Sequence, residues 1–375
     1  MDLEEELKRL RREFHRFPEP SFAEYKTGDR IAEYLSSLGM EVERFKTAVV
    51  GTVGEGSPVI ALRADMDALS LTEERDSDYK SENPGFMHAC GHDGHMTMVL
   101  GAAILLAKKQ LPGKIKFIFQ PAEEKVKGAD FLIESGVIDE VDEIFGLHLM
   151  PDFPAGEVYL KKGPAMATSD LFELTVLGQA GHGARPDLGK NAILMAAQVI
   201  NAVLCFTAQF SPLETAVVNF GMINGGVRYN IIPDRVTLVG TVRTLDEALR
   251  DRIERKLEEI AASITSLAGG SYEFVYERGC GVLINDDASC LKVEKACRKL
   301  NIPFSWAVNP MLLAEDFGQY LKRIKGAYFW LGTRNAEKEC VYSLHHPRFD
   351  LDEAVLLQGA RLFAEIVEDY LKEAK

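Results

Sequence analysis

The chain has 375 residues, enough at about 150 residues per domain for two or three domains with a sizeable core. Hydrophobic residues make up 46% and charged residues 27%, a composition that excludes a disordered chain. The 43 basic and 57 acidic side chains leave a net charge of −14, the wrong sign for a protein that grips nucleic-acid phosphates. No apolar run reaches the ~18 residues that a membrane span needs. The opening MDLEEELKRLRR is a charged helix pattern without the apolar stretch of a signal peptide. Six cysteines scattered at 90, 205, 280, 290, 297 and 340 read as reduced thiols rather than a disulfide framework. The expectation is a cytoplasmic protein with neither nucleic acid nor membrane as partner.

In chain order, two amphipathic helices come first. Leu3, Leu7, Leu10 and Phe14 share one face of the first, and Ile31, Tyr34, Leu35 and Leu38 one face of the second. Strands at 57–63, 114–120 and 143–149 then alternate with helices after Gly94 and near Ala129. Such alternation predicts a largely parallel sheet covered by helices. The middle block reads strand 171–177, helix 191–210, strands 216–223 and 235–243, helix 247–267 and strand 272–276. That β-α-β-β-α-β order is the ferredoxin-like unit. From about 285 the first style resumes, with helices at 288–300, 313–324 and 351–373 and a strand at 327–331. The pattern predicts an α/β domain (1–167 and 280–375) carrying an inserted domain (168–279).

Only eight histidines occur, and three of them lie in MHACGHDGH at residues 87–95. A lone histidine is usually an ordinary polar residue, but Cys90 and His92 two apart in a loop can address one point. Thiolate and imidazole together suit zinc and similar borderline metals. Asp93 and His95 are equally well explained as the polar start of a helix. Glu123 and Glu124 follow the apolar strand FIFQPA, at the carboxyl end where open α/β sheets carry their chemistry. Adjacent carboxylates repel there, and a bound cation relieves the repulsion. His148 closes the next apolar strand at the equivalent edge. The acids of RADMD at 63–67 are placed to orient a ligand histidine.

With these segments assembled, the chain resembles the metallo-aminoacylase and carboxypeptidase family, which includes hippurate hydrolases, auxin-conjugate hydrolases and N-acetyl-diaminopimelate deacetylases. The resemblance rests on FHRFPE at 14–19 with Phe22 and Glu24, RADMDAL at 63–69, the 87–95 segment, and QPAEE at 120–124. It continues through GHGARP at 181–186, NIIP at 230–233 with GTVR at 240–243, AEDF at 314–317, and Leu344-His345. Ser70, Lys125 and Asp187 depart from the family's commonest residues, and none is a proposed ligand.

The resemblance implies a zinc-exopeptidase-like α/β/α catalytic domain with an inserted ferredoxin-like dimerisation or lid domain. It implies two divalent metal ions, most readily zinc, with manganese, cobalt or nickel as alternatives. Their ligands would be Cys90, His92, Glu124, His148 and His345. Glu123 would be the general base, Asp65 a supporting acid, and His182 an oxyanion donor reaching the site from the partner in a homodimer or dimer of dimers. Arg243, whose fork matches a carboxylate, and Asn230 would hold the substrate. The implied reaction is hydrolysis of an N-acyl-L-amino acid or short peptide with a free carboxylate. A deacetylase of N-acetyl-diaminopimelate, a C-terminal carboxypeptidase and a non-catalytic metal-dependent binding protein are the alternatives. No Gly-x-Ser-x-Gly elbow occurs, which disfavours a serine hydrolase.

Overall fold

The computed structural model describes residues 2–373. The chain begins with α1 (Leu3–Arg16), α2 (Tyr25–Ser37), and a hairpin of β1 (Glu41–Phe45) and β2 (Ala48–Glu55). Next come β3 (Val59–Asp65), α3 (His92–Leu106), β4 (Gly113–Gln120), α4 (Gly128–Glu134), β5 (Glu143–Pro154) and β6 (Val158–Leu160). A middle stretch follows with β7 (Asp170–Leu177), α5 (Ala192–Thr207), β8 (Ala216–Gly225), β9 (Arg235–Thr244), α6 (Glu247–Leu267) and β10 (Ser271–Arg278). The chain closes with α7 (Asp287–Lys299), β11 (Phe304–Trp306), α8 (Gly318–Leu321), β12 (Lys325–Arg334) and α9 (Val355–Glu373). Two compact units result: residues 1–163, 284–309 and 316–375 in the first, and 164–283 with 310–315 in the second.

The first unit is built on an eight-stranded sheet of order β1-β2-β4-β3-β5-β12-β6-β11. Its centre is parallel, β3 pairing with β4 and β5, and β5 with β12. Every residue of β3 is buried. A strand buried on both faces carries no alternation, which is why Val59–Leu62 reads as an unbroken apolar run before Arg63 and Asp65 turn polar. Helix α3 is apolar on nearly all sides and buried through most of its length, as befits a helix packed within the core. The faces predicted for α1 and α2 are the faces that pack, with Leu7, Leu10, Phe14, Ile31 and Leu35 in the core. Strand register sets Asp65, at the end of β3, beside Gln120, at the end of β4, and level with His148, midway along the longer β5.

The second unit has a four-stranded antiparallel sheet of order β8-β9-β7-β10. This is the split β-α-β order expected of its six elements. Strand β9 alternates strictly, burying Val236, Leu238 and Val242 under α5 and α6. Helix α6 supplies Leu249, Ile253, Leu257 and Ala261 at four-residue spacing.

Two expectations need correction, and one hairpin was not foreseen. The helix expected over 313–324 shrinks to Gly318–Leu321, because Asp316 is drawn into buried hydrogen bonds with Arg63, Gln120 and the Ala129 amide. The β1–β2 hairpin went unpredicted, since β1 is mostly solvent-facing and its charges mask the pairing. The final helix begins at Val355 rather than 351.

Candidate metal centre

The site is assembled from the loop before α3, the turn after β4, the middle of β5, which runs on past the expected stop at 149 to Pro154, and the segment around 345. Gly91 sits at φ 86, a left-handed conformation that glycine adopts without steric cost. It reverses the chain between Cys90 and His92, whose donor atoms lie with that of His148 within 4.8 Å of one another. A second group, Cys90, Glu124 and His345, meets the same limit. The Cys90 Sγ is common to both, 3.5 Å from His148 Nε2 and 3.3 Å from His345 Nε2.

Hydrogen bonds select the ring nitrogen that each histidine presents. His92 Nδ1 donates to the Asp67 carbonyl at 2.8 Å, and His148 Nδ1 to the Leu149 carbonyl at 2.8 Å. Both rings therefore turn an Nε2 lone pair inward. His345 presents Nε2 at 3.5 Å from Glu124 Oε1. It is held at φ 62, in the left-handed region, by a hydrogen bond that its backbone N–H donates to the Ala89 carbonyl at 2.8 Å. His346 turns elsewhere, stacking on Tyr342 and accepting the Arg348 amide.

The donor set fits divalent cations. His92 Nε2 and Glu124 Oε1 are buried with no hydrogen-bond partner among the described residues, an arrangement that costs about 1–3 kcal/mol per group unless something binds there. Burial, Glu124 and Glu123 together push the Cys90 thiol well above its usual pKa, so a thiolate at that position requires a neighbouring cation. Burial pulls the His92 ring down, but Asp65, Asp67 and Glu124 outweigh it and raise the pKa to about 10, the signature of a pocket that favours positive charge. Burial, helped by His95 and His92, holds His148 neutral, as a ligand must be. Thiolate, imidazole and carboxylate together match borderline transition metals.

The turn carrying the two glutamates is clamped from below. Ala122 and Val126 both have φ 55. Asp67 accepts the Glu123 amide on Oδ1 at 3.0 Å and the Glu124 amide on Oδ2 at 3.2 Å, with the Ser21 hydroxyl at 2.6 Å. Glu24 accepts the Ala122 amide at 3.0 Å. Glu123 itself is buried, and its carboxylate lies within the group formed with His92 and Glu124. Gly128 ends this turn where a β-carbon would meet the Pro121 carbonyl at 1.7 Å.

Asp65, read from sequence as a supporting acid, accepts His95 Nδ1 at 2.6 Å and Arg63 at 2.6 Å, and lies 3.7 Å from His92 Nδ1. His95 also accepts the Leu149 amide on Nε2 at 2.9 Å. Both of its ring nitrogens are therefore spent, and it serves as a strut. Sequence reasoning missed that Asp67 is the acid beneath both glutamates, and that Glu24 and Arg63 support the site. The RADMD motif contained the signal for Asp67 but not the choice between its two acids.

Three expected residues lie in the second unit. His182 and Ile231 are paired across a short ladder, and the Asn230 carbonyl accepts the Gly183 amide at 2.9 Å, so His182 and Asn230 are neighbours. Both are exposed. His182 Nδ1 accepts the Ala184 amide, which places the ring proton on Nε2 as an outward donor. Arg243 lies on β9 and donates to the Thr168 carbonyl. Among the described residues no carboxylate forms an ion pair with it.

Residues 61–369 match the profile of peptidase family M20/M25/M40, and the chain belongs to that family. It is 40% identical over 370 residues to thermostable carboxypeptidase 1 of Saccharolobus solfataricus, covering 96% of this chain and 94% of that one. It is 36% identical to the hippurate hydrolase of Campylobacter jejuni, covering 99% and 98%. Among solved structures it superposes with a TM-score of 0.87 and 33% identity on a dinuclear metal-binding M20 peptidase of Bacillus subtilis, covering 99% of each. The chain is accordingly a metal-dependent amidohydrolase whose centre takes two divalent cations.

Proposed function

We propose that the protein hydrolyses the amide bond of N-acyl-L-amino acids or short peptides bearing a free carboxylate. The cations are held by Cys90, His92, Glu124, His148 and His345. The observation that carries this reading is a thiol shared by two donor groups with the Glu123 carboxylate beside them. Bound there, a cation pair lowers the pKa of water toward neutrality and polarises a carbonyl. Glu123 takes the proton of the attacking water and delivers it to the leaving amine. Asp67 keeps Glu123 and Glu124 aimed by their amides, and Asp65 stiffens His95 beside His92. His182 donates from Nε2 to the developing oxyanion. Arg243, with no acid of its own, pairs with the substrate carboxylate, and Asn230 adds an amide.

Cysteine and imidazole ligands favour zinc, with manganese the first alternative. A homodimer is supported by the apolar surface of the second unit, where Ile193, Leu194 and Leu204 on α5 and Met222 and Ile223 on the edge strand β8 are exposed. In that dimer the partner's His182 serves each site. Six free cysteines support a reducing cytoplasm, and no described helix is long and apolar enough to cross a membrane. The 40% identity to a carboxypeptidase favours C-terminal peptide cleavage as the second reading. The test is hydrolysis of N-acetyl and N-benzoyl amino acids, N-acetyl-diaminopimelate and dipeptides, each with free or amidated carboxylate, with zinc or manganese and with chelator. Chelator-sensitive turnover confined to free carboxylates supports the proposal; equal turnover of the amidated forms removes the Arg243 anchor.

A further inference from the structure

Glu24 is completely buried in the first unit, in the segment that leads into α2. No lysine, arginine or histidine forms an ion pair with it among the described residues. Its hydrogen-bond partners are two backbone amides and a hydroxyl. Oε1 accepts the Phe22 and Ala122 amides, each at 3.0 Å, and Oε2 accepts the Thr47 hydroxyl at 2.8 Å. An unpaired buried carboxylate is an expensive group to retain, and although Glu24 stands at the N-cap of α2 its side chain makes no capping hydrogen bond to that helix.

What it grips is unusual. Phe22 has φ 62 and Ala122 has φ 55. Both carry a β-carbon in a backbone region that such residues rarely occupy, so each is held there by its surroundings. One carboxylate oxygen holds both. Ala122 immediately precedes Glu123, and Asp67 accepts the next two amides of the same turn. Three successive amides of residues 122–124 are thus fixed by two buried acids. Of these, only Glu24 holds the residue whose left-handed conformation aims the turn.

We infer that Glu24 is a positioning residue for the general base, acting through the Ala122 amide rather than by touching substrate or metal. This rests on the assignment of Glu123 as base. Loss of the grip lets the turn relax toward ordinary backbone at Ala122 and displaces the adjoining Glu123 carboxylate, while Cys90, His92, His148 and His345 lie on other segments and Asp67 still holds the Glu124 amide. A displacement near 1 Å in a reacting group can cost on the order of 10²-fold in rate.

The test uses the metal-reconstituted full chain and an N-acetyl amino acid. Four variants are compared: Glu24→Ala, Glu24→Gln, Glu123→Gln, and the double Glu24→Ala/Glu123→Gln. Glu24→Ala is expected to lower kcat about 10²-fold with KM and metal content little changed. Glu24→Gln keeps an acceptor at Oε1 and is expected to recover most of that loss. In the Glu123→Gln background, Glu24→Ala is expected to add almost nothing, because two residues acting as one unit are not additive. Full additivity, or a loss that tracks metal content or melting temperature, overturns the inference. If Glu24→Ala fails to fold, Thr47→Val loosens the same carboxylate at Oε2, and a smaller loss with the same non-additivity is expected; an unchanged kcat overturns it. Turnover retained by Glu123→Gln alone would instead bring down the base assignment, and this inference with it.

Discussion

The two sheets of this protein solve opposite problems. In the first unit, β3 is buried along its whole length, and the polar groups that a catalyst needs are gathered at its end. Arg11, Arg63, Asp65, Asp67, Asp93, His92 and His95 are all buried there or beneath it. In the second unit, β9 alternates between core and surface. The buried pair of Arg250 with Asp170 lies beside a core that is largely apolar. The difference teaches that buried charge collects where chemistry is organised, and that the inserted unit is stabilised as an ordinary half-covered sheet.

The sharpest way to break this comparison is at the shared thiol. Cys90→Ala is expected to lose both cations and essentially all turnover, because Cys90 belongs to both donor groups; elemental analysis and an amide-hydrolysis assay check it. Loss of one ion alone would show that the thiol is not shared.

Next in size is the charge beneath α3. Arg11 pairs with Asp93 at 2.9 Å and Asp350 at 2.8 Å with no solvent exposure. Arg11→Leu strands these carboxylates and is expected to cost about 3–5 kcal/mol by denaturant titration. Burial raises the Asp350 carboxyl, but Arg11 and Tyr79 outweigh it and hold it below the usual range. Asp350 therefore contributes stability that is present above its unfolded pKa of about 3.9 and lost as pH falls through its depressed folded value. In Arg11→Leu the folded Asp350 pKa rises toward or past its unfolded value, so the part of the acid-induced loss that Asp350 carries should shrink.

The second unit's contribution to function should be smaller and separable from metal. His182→Ala is expected to cut turnover about 10²-fold with metal content unchanged. Mixing it with Glu123→Gln subunits should restore part of the activity if the partner's His182 completes each site. No recovery would confine each site to one subunit. At the bottom of the scale, Leu213 is 94% exposed, and Leu213→Ser should shift stability by less than about 0.5 kcal/mol.

Much of this was legible in the sequence because the proposed ligands lie in short motifs at the boundaries of strands and helices. Cys90 with His92, the Glu123–Glu124 pair after β4, and His148 in β5 needed only the strand pattern to be placed together. The β-α-β-β-α-β order of the second unit was equally readable, since β9 alternates strictly and α6 repeats its apolar residues every four positions. The clamp beneath the glutamates was not. Glu24 and Asp67 act on backbone amides whose direction depends on left-handed residues at 22 and 122, and no spacing rule reports such a conformation. The over-long helix at 313–324 failed for a related reason: its periodicity is helical, but Asp316 is claimed by partners far away in sequence.

The most direct test of the central claim is the metal content and turnover of Glu123→Gln, measured on the same preparation. The account predicts two bound cations per chain, as in the wild type, with hydrolysis of an N-acyl amino acid reduced at least about 10²-fold, the scale of a lost general base. Turnover close to wild type with both cations bound would contradict it.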